Sequence, residues 1–468
     1  MRQRIFATGV ALAALTGTLH AQSAATGIDI SQQPLFTVSA EPPLNMLVMG
    51  RDHKLYYEAY NDASDLDGDR VIDIGYKPDI EYFGYFDSHR CYAYTGDRFV
   101  PTGVSASKRC RGPWSGDFLN YVTTSRMDAI RKVLYGGYRA IDDTSETVLE
   151  RSHIPQDAHS WAKQYVSPEV DGYDIGDYTP LSMPASGLRH LFTNVTIRND
   201  EAWGPRLRVL TDTIYPPWQW VSIERAVAGD RCVNGSNGPR CDATAGAKLT
   251  DFKVRVRVCD ADGPEAFCKR YPNGKYKPVG LLHDYGESGQ MMFGLLTGSY
   301  AKNTEGGTLR SNMARFDREV DADTGVFRTD VKDGIVYTID HLRTIDFNPW
   351  DFTYSCGWIT TRPVSDGECS MWGNPVAEMM YESLRYFGGA KKPRPEFDIP
   401  GSASDGKAPL SLAKPDWKPP YVARPQGGGF AQCAAPVMTV VSDINPSYDF
   451  SLPGSAWRSL GGGDDPPS

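Results

Sequence analysis

The 468-residue sequence is short of positive charge and of long apolar runs. Its 49 Lys and Arg are outnumbered by 58 Asp and Glu, which gives a formal net charge of −9, and no basic stripe is visible. Nucleic-acid-binding domains usually carry such a stripe, so we expect no nucleic-acid partner. Beyond Leu19 no segment approaches the ~20 apolar residues that span a bilayer, so we expect no transmembrane segment in the mature chain.

Motifs of nucleophilic catalysis and of thiolate metal sites are also missing. The sequence contains no G-x-S-x-G elbow and no C-x-x-C pair, which argues against one common hydrolase type and against a zinc–thiolate centre. We therefore expect a protein without enzyme activity. One alternative is a secreted hydrolase in which His153, Asp157 and His159 lie together and His159 acts as general base. Polar packing of a loop explains the same three residues.

The first 21 residues have the composition of a secretory signal peptide. Met1–Arg4 is basic, the segment from Ile5 to Leu19 is apolar, and a cleavage site ends at Ala21. A transmembrane anchor is the alternative, but the apolar run is shorter than a bilayer-spanning helix requires. We expect an exported protein whose mature chain starts with a flexible linker over residues 22–42.

Eight of the nine cysteines form close pairs along the chain. In an oxidising compartment such pairs predict disulfides that close short loops, each contributing about 2–4 kcal/mol if unstrained. The predicted pairs are Cys91 with Cys110, Cys232 with Cys241, Cys259 with Cys268, and Cys356 with Cys369. Cys433 remains, either as a free thiol or as the partner of a cysteine outside this sequence.

Apolar segments that alternate between strand and helix patterns predict an α/β fold with a covered parallel sheet. The predicted strands are Leu44–Met49, Pro278–Leu282, Met291–Leu296 and a central strand Val437–Val441. The predicted helices are Phe118–Leu134, which stops before two glycines, and Asn374–Phe387, with Asn374 as N-cap and Pro375 at the first helical position.

The stretch from about residue 142 to residue 276 departs from this alternating pattern. It has short β-like runs, many turns and two of the predicted disulfides. We therefore expect a large β-rich, disulfide-stapled insertion within an α/β domain that covers residues 43–450. Residues 451–468 lack packing residues and predict a disordered tail.

The segment Asp65–Asp73 holds four carboxylates, at its first, third, fifth and ninth positions. Like charges this close repel one another, and a hard cation with oxygen ligands is the usual remedy. With a main-chain carbonyl at the seventh position, this is the ligand order of an EF-hand calcium loop. The predicted Ca²⁺ ligands are Asp65, Asp67, Asp69, Asp73 and the carbonyl of Val71.

The acidic loop departs from the EF-hand pattern at two positions. Arg70 stands at the sixth position, which favours Gly, and Tyr76 at the twelfth, which favours a bidentate Glu. Asp62, Asp79 or Glu81 is then needed to complete the site, and no flanking helices are predicted. A solvated acidic turn is the alternative interpretation, and catalysis by these carboxylates is a third.

Three separated segments resemble the metal-ion-dependent adhesion site of von Willebrand factor A domains. Asn45–Lys54 resembles the first strand with its D-x-S-x-S loop, Trp372–Glu382 the helix that starts G-T-P, and Val440–Asp443 the strand that ends T-D-G. The resemblance implies a Rossmann-like sheet whose carboxyl edge brings the three segments together.

The metal-ligand positions of that site are degenerate in this sequence. Gly50 stands where the family has its first Asp, Asp52 and Lys54 replace the two serines, and Asn374 replaces the Thr, while Asp443 is retained. Lys54 could take the place of the cation and pair with Asp52 or Asp443. This predicts a metal-free form of the adhesion site, with a working metal site as the alternative.

Five longer strings resemble the N-terminal region of PilY/PilC-type proteins, a family of type IV pilus assembly factors and tip-associated adhesins. The strings are Tyr56–Tyr60 with the acidic loop, Trp114–Tyr121, Ile154–Trp161, Cys356–Pro363 and Ser442–Tyr448. The resemblance implies export to the pilus tip, cell surface or outer membrane, support of pilus extension, and adhesion. It implies pilins or minor pilins as partners, together with a host or surface receptor of unknown identity.

Members of the family continue into a C-terminal β-propeller with a calcium loop of its own, which this sequence does not contain. We therefore expect a fragment or a truncated product, and the missing part is one source of a partner for Cys433. A purely structural pilus component without a receptor is the remaining alternative.

Overall fold

The computed structural model describes most of the chain from Glu41 onwards, within one unit that starts at that residue. The described residues are 41–157, 159–196, 204–217, 232–235, 238–241, 248–348, 353–354, 356, 362, 364–399, 405, 410–421, 429–443 and 445–453. The predicted signal peptide, most of the predicted linker and most of the predicted tail lie outside them. Among the described helices, none is both long and apolar enough to cross a membrane.

The secondary structure mixes many short strands with few helices. The strands are β1 (Leu44–Met49), β2 (Arg90–Thr95), β3 (Arg98–Val104), β4 (Trp114–Ser115), β5 (Arg139–Asp142), β6 (Thr147–Glu150), β7 (Trp161–Tyr165), β8 (Arg189–Val195), β9 (Arg206–Thr213), β10 (Cys232–Gly235), β11 (Gly238–Cys241), β12 (Lys248–Lys253), β13 (Arg255–Val258), β14 (Cys268–Arg270), β15 (Tyr276–Pro278), β16 (Met292–Thr297), β17 (Thr308–Ala314) and β18 (Pro436–Val441). The α-helices are α1 (Gly116–Thr123), α2 (Arg126–Tyr135), α3 (Pro168–Asp171), α4 (Ile335–His341) and α5 (Val376–Phe387). Shorter helical turns cover His53–Tyr56, Ile175–Asp177, His283–Glu287 and Phe316–Arg318.

Strand β1 lies inside a four-stranded sheet of order β17-β16-β1-β18. It pairs in parallel with both β16 and β18, whereas β17 runs antiparallel to β16. Every residue of β1 is buried. Because successive side chains of a strand point to opposite faces, Met46 and Val48 pack with Met379 of α5, and Leu47 and Met49 join the core that holds α2 and α4.

The β-rich part of the chain forms two further large sheets. Their strand orders are β4-β2-β3-β13-β6-β5 and β12-β9-β8-β7. An aromatic core fills the space between them, with Trp114 near the rings of Phe99, Phe192 and Phe252. The first of these sheets includes β2, β3 and β4, which precede the predicted start of the insertion at residue 142. The predicted α/β class is confirmed as a mixed α/β fold with several sheets.

The predicted helix Phe118–Leu134 is wrong as a single element, because two helices, α1 and α2, occupy this stretch. Thr124 has an extended backbone, and Ser125 starts α2 with a capping box. The Ser125 hydroxyl accepts from the amide of Asp128 at 3.1 Å, and the Asp128 carboxylate accepts from the amide of Ser125 at 3.1 Å. Such a box starts a new helix at low cost. The predicted stop holds, since Gly136 adopts a left-handed φ of 87°.

Three other predicted elements differ from the structure. Pro278–Leu282 is not a strand: β15 ends at Pro278, and a helical turn follows because Gly280 packs against the backbone of α2. Helix α5 begins at Val376 rather than at Pro375, and the Asn374 side chain donates to Ser442 instead of capping the helix. Within the described residues β18 is an edge strand with exposed valines, whereas a central strand is predicted there.

Candidate functional site

Three chain segments converge at the carboxyl end of β1, as the resemblance to the adhesion site predicts. The Gly50 amide donates to the carbonyl of Val441 at 2.8 Å, and Nδ2 of Asn374 donates to Oγ of Ser442 at 2.8 Å. A Cβ atom on Gly50 would lie 3.0 Å from Oγ of Ser442 and 3.1 Å from Oδ1 of Asn374. A side chain at position 50 therefore requires the Ser442 and Asn374 side chains to shift.

A lysine amine stands among the carboxylates of this edge. Nζ of Lys54 lies 3.8 Å from Oδ1 of Asp443, whose side chain is only 3% exposed. The backbone amide of Lys54 donates to Oδ1 of Asp52 at 3.0 Å. Burial and, to a smaller extent, the nearby charge of Asp443 raise the pKa of Asp52 to about 6. Lys54 thus lies beside two carboxylates whose charges repel each other.

Arg51 fixes this edge, although the sequence gives little sign of it. The side chain is buried, and its guanidinium donates to the carbonyls of Ser299, Ser370 and Asn303 at 2.7, 2.5 and 3.2 Å. It also reaches the carbonyl of Gly373, at 3.3 Å, just before α5. One side chain after β1 therefore positions the loop that carries Asn374.

A buried chain of hydrogen bonds adjoins the edge through His53. Oδ1 of Asp157 lies 2.8 Å from Nδ1 of His159, and Nε2 of His159 lies 2.8 Å from Nδ1 of His53. The hydroxyl of Tyr354 donates to the other Asp157 oxygen at 2.5 Å. Nε2 of His53 in turn lies 3.7 Å from Oδ1 of Asp52, so the chain reaches the carboxyl end of β1.

The electrostatics of this chain favour neutral histidine at His53. Burial, together with the proximity of His159, lowers the pKa of His53 to about 3. Burial alone would raise the pKa of Asp157, but the attraction of His159 and the hydrogen bonds outweigh it, so that pKa lies below its usual value. Nδ1 of His159 faces the Asp157 carboxylate, and its Nε2 faces Nδ1 of His53, so the two rings and the carboxylate form one continuous series of contacts.

Of the residues considered for a hydrolase, the structure brings Asp157 and His159 into contact, at 2.8 Å. The half-buried His153 has its Nδ1 at 3.2 Å from Oγ1 of Thr344 instead. Among the residues that the structure describes, both ring nitrogens of His159 are already hydrogen bonded, to Asp157 and to His53. Neither nitrogen is left to activate a nucleophile.

The structure brings three of the predicted calcium ligands together. One carboxylate oxygen from each of Asp65, Asp67 and Asp73 lies within 4.8 Å of the others. Asp65 and Asp67 are exposed, and Asp73 is buried. Asp69 is not part of this group, and its Oδ1 accepts from the amide of Val71 at 2.7 Å. Together these oxygens can offer hard-cation ligands on a surface loop.

Backbone amides shape the acidic loop. The two oxygens of Asp65 accept from the amides of Gly68 and Arg70 at 2.7 and 2.8 Å, and Oδ2 of Asp73 accepts from the amide of Leu66 at 2.8 Å. Arg70 adopts the left-handed φ of 73°, the conformation for which Gly is preferred at the sixth loop position. The departure from the EF-hand pattern is therefore accommodated by the backbone.

Two of the three residues considered for completing the loop are engaged elsewhere. Oδ2 of Asp62 lies 2.9 Å from Nζ of Lys163, and its Oδ1 accepts from Gly75 and from the Tyr121 hydroxyl at 3.0 and 3.1 Å. The Glu81 carboxylate lies 3.4 Å from His89. Asp62 thus anchors the base of the acidic loop to β7.

Three of the four predicted disulfides are present. Their Cα–Cα distances are 5.5 Å for Cys91–Cys110, 5.6 Å for Cys259–Cys268 and 5.2 Å for Cys356–Cys369. For the fourth pair the backbone places Cys232 opposite Cys241 across β10 and β11, and both side chains lie outside the described residues. Cys433 is exposed and forms no disulfide within the described part of the chain.

Comparisons with known proteins agree on one family. The family model described as "PilY1 homolog, small alpha/beta domain" matches residues 73–205, and the PilY1 homolog second-domain model matches residues 293–468. A type IV pilus biogenesis factor PilY1 homolog of Xylella fastidiosa (strain Temecula1) is 57% identical over 440 residues. A second protein of the same name and organism is 26% identical over 475 residues.

The two alignments cover 90% and 94% of this chain but 30% and 35% of the relatives, so the chain spans about a third of their length. No solved structure matches the chain. The two family models lie on separate parts of one chain, and the long alignments run through both of them. The predicted family is thereby confirmed: the chain belongs to the PilY1-type family.

Proposed function

We propose that the chain is an exported part of a type IV pilus biogenesis factor and that it works by binding, without catalysis. The 57% identity to a relative of that name, over 90% of the chain, carries this proposal. Three disulfides among the described residues suit an oxidising compartment outside the cytoplasm. Pilins or minor pilins at the pilus tip are the proposed partners, and a surface receptor is the proposed target of adhesion.

We infer the lack of catalysis from the buried series of contacts Asp157–His159–His53. His159 has both nitrogens engaged, and its neighbours His53 and Asp157 are buried. A screen of generic esterase and protease substrates, with His159→Ala as the control, tests this point. Activity that disappears in the variant would revive the hydrolase alternative.

Calcium binding by the acidic loop is part of the proposal. The oxygens of Asp65, Asp67 and Asp73 lie close enough to share one cation, and two of these carboxylates face solvent. Extracellular calcium sites of this kind bind weakly, with a Kd of roughly 10⁻⁴–10⁻³ M. The ion would hold the loop in one arrangement between Asp62, which is anchored to Lys163, and the aromatic core that follows.

We also propose that the four-stranded sheet is a von Willebrand factor A-like sheet whose metal site is replaced by Lys54. Parallel strands on both sides of β1 and an antiparallel strand at the edge support this relationship. The 3.8 Å approach of the Lys54 amine to Asp443 supports the replacement. Adhesion would then depend on surface loops rather than on a metal at this edge.

The test is genetic complementation in the bacterium that encodes the chain. Deleting the gene should reduce the number of surface pili counted by electron microscopy, and the intact gene should restore them. Asp67→Ala in the intact gene tests the loop, and the exposed Asp330→Ala serves as its matched control. Unchanged piliation after deletion would contradict the biogenesis role.

Adhesion is separated from assembly by a second measurement. The purified chain is tested for binding to surfaces and cells at saturating calcium. Binding that follows loop variants supports the adhesive role, whereas absent binding with normal piliation identifies a purely structural pilus component.

A further inference from the structure

A polar cavity of about 310 Å³ lies between α2, α4 and the strands β6 and β13. Four arginines line it, namely Arg131, Arg151, Arg255 and Arg343. The acidic side chains on its wall are Glu150 and Asp340. The cavity is distinct from the acidic loop and from the carboxyl end of β1. Its size lies at the lower end of the range of small-molecule sites, roughly 300–1,000 Å³.

Arg131 is buried in the cavity wall, and its hydrogen bonds within the described residues go to carbonyls. Burial alone would lower the pKa of its guanidinium, but nearby acidic groups, Tyr135 and Asp340 among them, outweigh burial and raise it. Its side chain donates from Nη2 to the carbonyls of Ile339, Asp340 and Leu342 at 3.0, 3.1 and 3.2 Å, at the end of α4. Its Nε has no hydrogen-bond partner within the described residues. Carbonyls carry only partial charge, so they orient this guanidinium without neutralising it.

Arg151 is less well satisfied than Arg131. It is 2% exposed, and Nη2 makes only long hydrogen bonds, to the carbonyls of Val195 and Arg206 at 3.3 and 3.4 Å. Nε and Nη1 have no partner in the described part of the chain. Burial lowers the pKa of Arg151 to about 10, and Asp128 and Glu150 only partly offset that effect. A buried cation with open donors is costly unless an anion approaches it.

The acidic side chains near the cavity already accept hydrogen bonds from other groups of the protein. Oε2 of Glu150 accepts from Nε of Arg255 at 2.5 Å. Oδ1 of Asp340 accepts from the Tyr135 hydroxyl at 2.5 Å, and burial raises the pKa of Asp340 to about 7, so its charge is incomplete at neutral pH. Asp128 accepts from Ser125 and Ser152 instead of from an arginine.

Several side-chain nitrogens around the cavity therefore have no hydrogen-bond partner among the described residues. Nε2 of His153 is also buried there without a partner among the described residues. Burial holds the pKa of His153 well below its usual value, so this ring is neutral and can place its N–H on Nε2. Guanidinium groups bind carboxylate and phosphate oxygens through paired, charge-assisted hydrogen bonds.

We propose that this cavity is a binding site for a small oxyanion, with a carboxylate or phosphate group held by Arg131, Arg151 and Arg255. Binding requires the Arg151 side chain to turn its open donors toward the cavity. The ligand would add acceptor oxygens and negative charge to those that Asp128, Glu150 and Asp340 already place near these arginines. The site is independent of the pilus role and of the calcium loop.

Isothermal titration of the purified chain with inorganic phosphate and with citrate, at constant ionic strength in chloride, tests the proposal. Arg151→Met should weaken binding by about ten-fold or more, because it removes charge-assisted hydrogen bonds. The thermal midpoint of this variant in chloride alone should stay level or rise, because an unpartnered buried charge is lost. Glu150→Gln should tighten binding several-fold, since it removes the negative charge beside Nε of Arg255 and leaves, among the described residues, only the Asp97 contact at Nη1.

The exposed Arg111→Gln, outside the cavity, is the matched control and should bind like the wild type. The phosphate and citrate arms show which oxyanion class fits. Absent binding of both anions overturns the proposal, as does equal affinity in the wild type and Arg151→Met. If Arg151→Met fails to fold, Glu150→Gln decides, because it retains every arginine: unchanged affinity there overturns the proposal.

Discussion

The acidic loop and the carboxyl end of β1 both gather aspartates, and they deal with the repulsion in opposite ways. At the end of β1, Asp52 and Asp443 are buried, and Lys54 lies beside them. In the loop, Asp65 and Asp67 face solvent and are held by backbone amides. A buried cluster must carry its own counter-charge, whereas an exposed cluster can take a cation from solution.

The largest effect is expected from making the edge resemble a working metal site. Gly50→Asp should destabilise the fold by about 2–4 kcal/mol, because its side chain would crowd Ser442 and Asn374 and would add a third acid. Urea unfolding measures the change. The control is Gly103→Asp at an exposed position of β3, where an added Cβ meets no atom within 4 Å. Wild-type stability together with Mg²⁺ binding in Gly50→Asp would contradict a metal-free edge.

Asp52 should give the edge a pH dependence. Its pKa is raised to about 6, so the folded state holds the proton more tightly than the unfolded state. The contribution of the protonated Asp52 carboxyl to stability is complete below about pH 4 and is lost as the pH rises through about 6. At pH 7 Asp52→Asn should therefore raise the free energy of unfolding by about 1–3 kcal/mol. The loss of the attraction between Asp52 and Lys54 reduces this gain.

The measurement for Asp52 is urea unfolding between pH 4 and pH 7, with and without the substitution. Asp443→Asn is the second variant to measure. It removes the neighbouring acid, so the pH range over which the Asp52 contribution is lost should move to lower pH. If the free energy of unfolding changes with pH in the same way in the wild type and in Asp52→Asn, the Asp52 carboxyl does not hold its proton more tightly in the folded state.

Removing the internal cation should have a smaller effect. Lys54→Met leaves Asp443 without its amine and should cost about 1–2 kcal/mol, since the lysine is one-third exposed and partly screened. The exposed Lys275→Met is the matched control. Equal stability of the two variants in chemical unfolding would mean that Lys54 does not replace a cation.

The smallest effect is expected at the loop. At ten times its Kd, Ca²⁺ should stabilise the wild type by about 1.4 kcal/mol. Asp67→Ala should weaken binding by about ten-fold or more, whereas Asp69→Ala should do less because Asp69 lies outside the group of three. Calorimetric titration compares them. Identical heats in the wild type and Asp67→Ala would end the calcium assignment.

Local patterns predicted most of the loop and the first strand. The spacing of Asp65, Asp67 and Asp73 is read within nine residues, and the burial of Leu44–Met49 follows from its composition. The resemblance to adhesion sites predicted the convergence of Gly50, Asn374 and Asp443, because strand ends share one edge in a parallel sheet.

Long-range contacts were not predictable in the same way. His53 and His159 stand 106 residues apart, and no short motif joins them. The carbonyls around Arg51 come from two loops far along the chain, one with Ser299 and Asn303 and one with Ser370, so only the folded backbone shows why the charge can be buried there. The helix break was visible in principle, since Ser125 and Asp128 have capping-box spacing, but the apolar periodicity outweighed it.

The position of β1 in its sheet sets an order of events for folding. Leu44 pairs with Met292 and with Pro436, so its partners follow 292 − 44 = 248 and 436 − 44 = 392 residues later. A chain delivered N-terminus first therefore holds this buried strand with both edges open until β16 follows, and with one edge open until β18 follows. Pairing at such separation is slow, whereas disulfide loops of 9–19 residues can close early. The β-rich part can thus mature first and leave the parallel sheet as the final step of assembly.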